Sequence, residues 1–332
     1  MRIRKVISLV VLSMVALGIT MLLSLAFGSR FIEIRKVLNI LFGGEEETFI
    51  TLVVTKRIPR TIFGLIAGAA LGVSGALMQS ITHNPIADPS ILGVNTGASL
   101  FVVIGIAFLN INTAQQYIWL ALVGAGITAI FVYGIASMGR GGANPIKLAL
   151  AGAATSSALS SLVSTIMLPN TNVMNEFRFW QVGSISGASW EGIRMVSPFL
   201  IIGLILALAL TPALNAMMLG DEAATGLGVN TRRTRALGAF AGVLLCGATT
   251  ALTGPIGFIG LMVPHLVRIL SGADMRSLIP ISAVGGAVVL VLADVIGRVI
   301  GSPGELEVGI VTAFLGAPVF IAVARKAKVR TL

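Results

Sequence analysis

The chain has 332 residues, 56% of them hydrophobic and only 11% charged, with a formal net charge of +10 and a mean hydropathy of +0.98. No water-soluble globular domain of this size carries that composition, so the sequence reads as a polytopic membrane protein, a single transmembrane domain over 1–332 with halves of about 1–190 and 191–332. Basic loops are ordinary beside anionic lipid, which removes nucleic acid as an implied partner, and a lone cysteine, Cys246, excludes an intrachain disulfide and cysteine metal motifs.

Apolar runs broken by charged or Pro/Gly/Asn-rich punctuation predict about ten membrane helices: 6–28, 61–81, 91–109, 117–138, 146–168, 192–214, 235–253, 256–270, 279–297 and 307–324. The first follows a basic head, and Ser24-Leu25-Ala26 loosely resembles a signal cleavage site. Its apolar stretch of about 22 residues is longer than a signal core and spans ~30 Å of hydrocarbon, so it reads as a retained helix.

The second run opens on "TKRIPRTIFG", with Lys56, Arg57 and Arg60 crowding its mouth. Gly64, Gly68 and Gly72 follow at four-residue spacing, a ridge that lets a neighbouring helix approach backbone to backbone and predicts a central position. Turns at Asn84-Pro85-Ile86 and Asn144-Pro145 precede the third and fifth runs. In the fifth, "TSSALSSLVST" places Ser156, Ser160 and Ser164 on one face. Those hydroxyls either bond to the carbonyl four residues back or line a water-filled path.

Trp180 and Trp190 suit an aromatic belt at either membrane face. After the sixth run, "LGDEAATGLGVNTRRTR" has acids first and arginines last, which complements the dipole of a short helix and equally fits an ordinary loop with a basic tail. The eighth run is short and contains Pro264, so it is tilted, broken or partly inserted.

With the N-terminus inside, nine of the 23 cations fall outside: Arg30, Arg35, Lys36, Lys56, Arg57, Arg60, Arg178, Arg194 and Arg298. The positive-inside rule therefore favours both termini in the cytoplasm, with the first outer loop and the mouth of the second helix as its main exception. "RGGANPIKLALAGAA" echoes "RVIGSPGELEVGIVTAFLGAP" five spans later, a weak inverted repeat of the kind common in transporters.

Enzyme readings fail by absence. His83 and His265 are the only histidines, no metal or nucleophile-elbow spacing occurs, and none of the six lysines follows a glycine, so there is no Walker A loop. No catalytic, metal or cofactor residues are expected. Asp88, Asp221, Glu222, Asp274 and Asp294 are expected at span ends, which counts against an ion-coupled secondary transporter, although unwound backbone can bind sodium without an acid. A channel is a third alternative.

Taken together, these stretches resemble the FecCD family, the membrane permeases of ABC importers for ferric siderophores, haem and cobalamin. The resemblance is carried by "RIPRTIFGLIAGAALGVSGALMQSITHNPIADPSILGVNTGAS" (57–99), "LALAGAA" (148–154), "WQVGSISGASW" (180–190), "LGDEAATGLGV" (219–229), "GPIGFIGLMVPHLVR" (254–268), "ADVIGR" and "PGELEVGIVTAFLGAPVFIAVARK" (within 293–326). It implies a ten-helix subunit of the cell membrane that pairs with an identical or sister permease, takes substrate from an extracytoplasmic binding protein, and is driven by two separate ATPase subunits that use ATP. The implied coupling residues are Asp221, Glu222, Ala223, Leu227 and Gly228. The implied docking residues are Arg57, Arg60 and Arg298, with Asp294 and Glu305 either pairing with Arg298 or contacting a partner. Ser156, Ser160 and Ser164 become path candidates, and Asn84, Pro85, Ile86, Asn144 and Pro145 match the cytoplasmic gate regions, although such prolines also simply terminate helices. Ferric siderophores are the commonest substrates of the family, with cobalamin and haem as alternatives. His83 and His265 read as helix-end residues.

Overall fold

The structure, a computed structural model, describes residues 2–44, 48–109, 111, 113–139 and 144–326. Among the described residues there is no strand; the chain forms fourteen α-helices and one 3-10 turn at Pro89–Leu92. In order the helices are α1 (Arg2–Ala26), α2 (Ile34–Leu41), α3 (Thr48–Ile81), α4 (Val94–Leu109), α5 (Ala114–Ser137), α6 (Pro145–Met167) and α7 (Thr171–Val182). They continue with α8 (Trp190–Ala209), α9 (Thr211–Met217), α10 (Asp221–Gly226), α11 (Thr231–Thr253), α12 (Ile259–Ser271), α13 (Met275–Ile300) and α14 (Val308–Lys326). Six of them, α3, α5, α6, α8, α11 and α13, are long and apolar enough to cross a membrane, so the protein is a multi-pass membrane protein. Shorter apolar helices cover Val11–Ala26, Val94–Leu109, Ile259–Ser271 and Val308–Val323.

Each expected apolar run coincides with a helix, but several boundaries differ. The second helix starts at Thr48 rather than near residue 61, so Lys56, Arg57 and Arg60 lie inside it and not at its mouth. Charge alone misplaces that boundary because Arg57 is buried against protein carbonyls, which lets the helix run on through a cation. The run expected at 192–214 divides at Leu210 into α8 and α9, with Pro212 in the first turn of the second piece, where its missing N–H costs nothing. The eighth helix is short and contains Pro264, as its sequence suggested.

The centre of the bundle is α3, and its glycine ridge explains why. A Cβ on Gly68 would strike the carbonyl of Gly286, one on Gly72 the carbonyl of Ser282, and one on Gly75 the carbonyl of Gly260. Close backbone approach of this kind is what small residues supply where lipid offers no hydrophobic drive to helix association. Through these contacts α3 lies directly on α13 and α12, while Ser74 Oγ donates to the Gly242 carbonyl of α11 at 2.6 Å. The segment between α7 and α8 locks two further elements: Ser184 N donates to Thr253 O at 2.7 Å, and Gly309 N donates to Gly183 O at 3.0 Å. Trp180 stacks on Phe177 at 5.8 Å and is half-buried, whereas Trp190 is exposed.

One segment departs from its expected place. After α3 the chain turns at His83, whose φ of 50° is the left-handed conformation that histidine tolerates better than most residues. It then folds back along the bundle, so that the Ile91 carbonyl meets Gly152, well inside α6, and Asp88 Oδ2 lies against Gly260 beside the Leu71 carbonyl. Leu71 is about 15 Å along α3 from Ile81 at 1.5 Å per residue, so Asp88 is carried to bundle depth. Asp88 is therefore not at a span end, contrary to expectation. A punctuated hydropathy trace cannot distinguish a connecting loop from one that re-enters, because both are rich in Asn, Pro and Asp.

Candidate functional site

Two charged clusters sit along α3, one in its first half around Arg57 and Arg60 and one at its last residue. At the first, Arg57 Nη1 donates to the carbonyls of Leu25 (2.8 Å) and Ala26 (3.1 Å), and Nη2 donates to Arg30 O at 2.7 Å. The carbonyls of Leu25 and Ala26 belong to the last turn of α1, where no intrahelical N–H remains to satisfy them, and a cation there also complements the helix dipole. Arg60 donates from Nε and Nη2 to Asp294 Oδ1, at 3.2 and 2.8 Å, and from Nη1 to Glu305 Oε2 at 2.7 Å. Arg298 donates to the carbonyl and hydroxyl of Ser24, at 3.1 and 3.0 Å. Its Nε lies 3.0 Å from Asp294 Oδ2, a charge contact without hydrogen-bond alignment.

The structure thus brings Arg57, Arg60 and Arg298 together, but not as an exposed trio. Arg298 is 2% exposed and Arg57 8%, and both direct their donors inward. Asp294 pairs with Arg298, one of the two alternatives left open by the sequence, and also with Arg60; Glu305 pairs with Arg60 instead of Arg298. Only the Arg60–Glu305 edge reaches the rim, where the Glu305 side chain is 36% exposed. A guanidinium carries five donors and no acceptor, so carbonyls left without an intrahelical donor at the end of α1 draw it inward. Three cations face two carboxylates here, which leaves one surplus positive charge.

The second cluster joins α10 to the end of α3. Arg235 Nη2 donates to Asp221 Oδ2 at 2.9 Å and to Oδ1 at 3.2 Å, while its Nε donates to the carbonyl of Ile81, the last residue of α3, at 3.1 Å. His83 Nε2 lies 3.7 Å from Asp221 Oδ1. Arg235 was not foreseen as a site residue. Its signal was present, since it is the last arginine of "TRRTR": Arg232 and Arg233 are exposed, whereas Arg235, roughly opposite Arg233 around the first turns of α11, is buried.

The expected coupling residues divide by role. Asp221 is the anchor. Glu222, Ala223 and Leu227 are exposed, while Ala224 is fully buried beneath them and holds the six-residue helix against the bundle. Gly228 ends the helix: with φ at 82°, Gly228 N donates to Thr225 O (2.9 Å) and Val229 N donates to Ala224 O (3.0 Å). That pair of bonds is a Schellman cap, whose left-handed residue favours glycine. Acids in the first turn complement the dipole, but the arginines do not cap the other end as the sequence suggested: α10 has no basic residue in its last turn, and Arg232, Arg233 and Arg235 open α11.

On α6 the serines also separate. Ser156 is half-buried and accepts a hydrogen bond from Thr96 Oγ1 of α4 at 3.2 Å, so it faces the bundle. The open polar face comprises Ser157, Ser160, Ser161, Ser164 and Thr165. Ser161, Ser164 and Thr165 each donate to the carbonyl four residues back, at 2.8 to 3.0 Å, yet remain exposed. On α14, Phe314 (79% exposed) and Ile321 (58%) line an uncovered apolar face.

The expected gate residues form local caps. Asn84 Oδ1 accepts from Ile86 N at 3.1 Å, a side-chain turn that fixes the chain after His83. Asn144 caps α6 by accepting from Lys147 N at 2.8 Å, with Pro145 at the first helical position. The described contacts do not join the two turns; the residues immediately before Asn144, 140–143, lie outside the described ones.

A bundle of apolar helices with a short anchored helix at one end, a charged cluster at the other and an uncovered polar face between defines a membrane transport subunit. A family model of the FecCD transport family matches residues 16–326, and the chain belongs to that family. It is 44% identical over 305 residues to the ferric enterobactin transport system permease protein FepD of Escherichia coli, covering 92% of this chain and 91% of that one. It is 43% identical over 309 residues to the Fe(3+)-citrate import system permease protein YfmD of Bacillus subtilis, with the same coverage of 92% and 91%. A solved inward-facing structure of a metal-chelate type ABC transporter superposes with a TM-score of 0.83 at 26% identity, covering 98% of this chain and 100% of that one. Asp88 at bundle depth removes the sequence argument against ion coupling; family membership is what sets that alternative aside.

Proposed function

We propose that this protein is the membrane-spanning permease subunit of a binding-protein-dependent ABC importer of the cell membrane, carrying ferric siderophores. The observation that carries the reading is α10: a helix anchored through Asp221 to Arg235 and the end of α3, with Glu222, Ala223 and Leu227 offered to a partner. That is the form of a surface that receives a push from a separate ATPase, since the chain has no phosphate-binding loop of its own. In this reading ten helices cross the membrane, both termini are cytoplasmic, and α10 lies on the cytoplasmic side.

The open serine face of α6 and the bare apolar face of α14 support a second permease subunit, identical or homologous, with the path between the two. Turns at 84–86 and 144–145 would close the path on the α10 side. At the far end, the surplus positive charge of the arginine cluster draws an acidic binding protein. Arg60 and Glu305 make the contact, while Arg57 and Arg298 act through the field and by holding Arg60 in place. Such complementarity steers encounter more than it adds affinity, so docking weakens with salt.

The test is reconstitution of the permease with its ATPase and binding protein in vesicles. Iron-siderophore accumulation that requires ATP, the loaded binding protein and an intact α10 supports the proposal. Accumulation driven by an ion gradient without ATP overturns it.

A further inference from the structure

We propose that a groove between α5, α8 and α11 holds one acyl chain of an anionic phospholipid, whose headgroup rests on Arg232 and Arg233. The groove encloses about 420 Å³ and is lined almost entirely by carbon. Its floor is made of small residues, Gly126, Gly134, Ala129 and Ala239, and its rims carry Ile130 (76% exposed) and Phe240 (52% exposed). Both rim residues are large, apolar and exposed, so the mouth of the groove suits lipid rather than water.

Length and charge select the occupant. Along α11 the lining runs from Ala236 to Gly247, about 16 Å at 1.5 Å per residue and close to half of a ~30 Å hydrocarbon core. That is the depth of one leaflet. Arg232 lies one turn before Ala236, at the end where α11 meets the aqueous interface, and Tyr133 in the groove wall is within electrostatic range of both Arg232 and Arg235. Arg235 is committed to Asp221, while Arg232 and Arg233 are exposed and, among the described residues, no carboxylate pairs with either. Paired cations at the mouth of an apolar slot between membrane helices are the arrangement that recognises an anionic headgroup. The proposal requires that the helices span a membrane but not that the protein is an iron importer.

The glycines provide a clean test, because a Cβ on Gly126 or Gly134 meets no atom within 4 Å. Leucines can therefore be introduced there with no clash at Cβ, and their remaining atoms take up groove volume. The purified permease is loaded with phosphatidylglycerol or phosphatidylcholine of identical chains and examined by native mass spectrometry, with thermal unfolding as the control for folding. The wild type is expected to retain one phosphatidylglycerol in preference to phosphatidylcholine. Gly126→Leu with Gly134→Leu should lose the adduct, and Arg232→Gln with Arg233→Gln should lose the headgroup preference while keeping a bound chain. Equal retention of both lipids by the wild type overturns the proposal, as does retention unchanged in both double variants. A dimer signal that vanishes with the leucines, with no lipid adduct, assigns the groove to a second copy and equally overturns it.

Discussion

Arg235 and Asp221 form a two-pronged ion pair, at 2.9 and 3.2 Å, and the same guanidinium holds the terminal carbonyl of α3. One side chain therefore connects the short α10 to the longest helix of the bundle. A planar guanidinium can make both connections at once because its donors are fixed in a fork; an ammonium cannot reproduce that geometry.

Arg235→Lys is expected to preserve the charge but lose the bridge. ATP hydrolysis by the bound ATPase should continue while iron-siderophore uptake per ATP falls severalfold. Since Asp221 is 49% exposed, the stability cost of the lysine variant should stay near the ordinary charge-assisted hydrogen-bond value of about 1.5–3 kcal/mol. The measurement is paired uptake and hydrolysis in the same vesicles, and a strict parallel loss of both would contradict a coupling role.

A different outcome is expected at the arginine cluster. Arg298 and Asp294 are both 2% exposed, and removing one partner of a buried pair costs about 3–5 kcal/mol because the other charge is stranded. Asp294→Leu should therefore lower the unfolding temperature in detergent sharply, because it strands Arg298 and takes two hydrogen bonds from Arg60, whereas Glu305→Gln at the rim should change it little. Adding Arg298→Leu to Asp294→Leu should recover part of the loss, since Arg60 keeps Glu305. If the single and double leucine variants unfold together, the pair is not what holds this end.

Gly228→Ala forces a left-handed residue to carry a Cβ, at a cost of about 1–2 kcal/mol. Unwinding the cap should weaken ATPase binding by roughly tenfold, the equivalent of 1.4 kcal/mol. Gly226→Ala, one turn position earlier with negative φ and open space at its Cβ, should bind as the wild type does. Titration of the permease with its ATPase by light scattering or calorimetry distinguishes the two.

On α6, Ser160→Trp should block uptake with the complex still assembled, because Ser160 is on the open face. Ser156→Ala removes the bond from Thr96 and should leave uptake largely intact. Normal transport through Ser160→Trp would remove this face from the path.

Hydropathy and glycine spacing were sufficient to read the all-helical fold, the short eighth helix and the central α3, since lipid forces backbone bonding within each segment and leaves glycine ridges as the main packing signal. Side-chain direction was the harder part. Arg57 and Arg298 read as surface charges because only the bundle reveals the unsatisfied carbonyls they serve. Ser156 seemed part of one stripe with Ser160 and Ser164, but a helix has 3.6 residues per turn, so a strict four-residue spacing drifts around the axis and carries Ser156 toward α4. Asp88 was placed at a span end because re-entry leaves no distinct compositional mark. Gly228 was read as a contact residue, whereas its backbone conformation is what the site needs.

The glycines that seat α3 against α13 and α12 also determine how the molecule can move. Because carbonyls lie where Cβ atoms would be at Gly68, Gly72 and Gly75, these helices have almost no slack between them, and a shift of one cannot be absorbed by rotating side chains. Arg60 in the first half of α3 and the Ile81 carbonyl at its end are roughly 30 Å apart along a single rod, each fixed to its own ion cluster. Displacing α10 therefore moves α3 as one rod, and the displacement reaches the arginine cluster roughly 30 Å away.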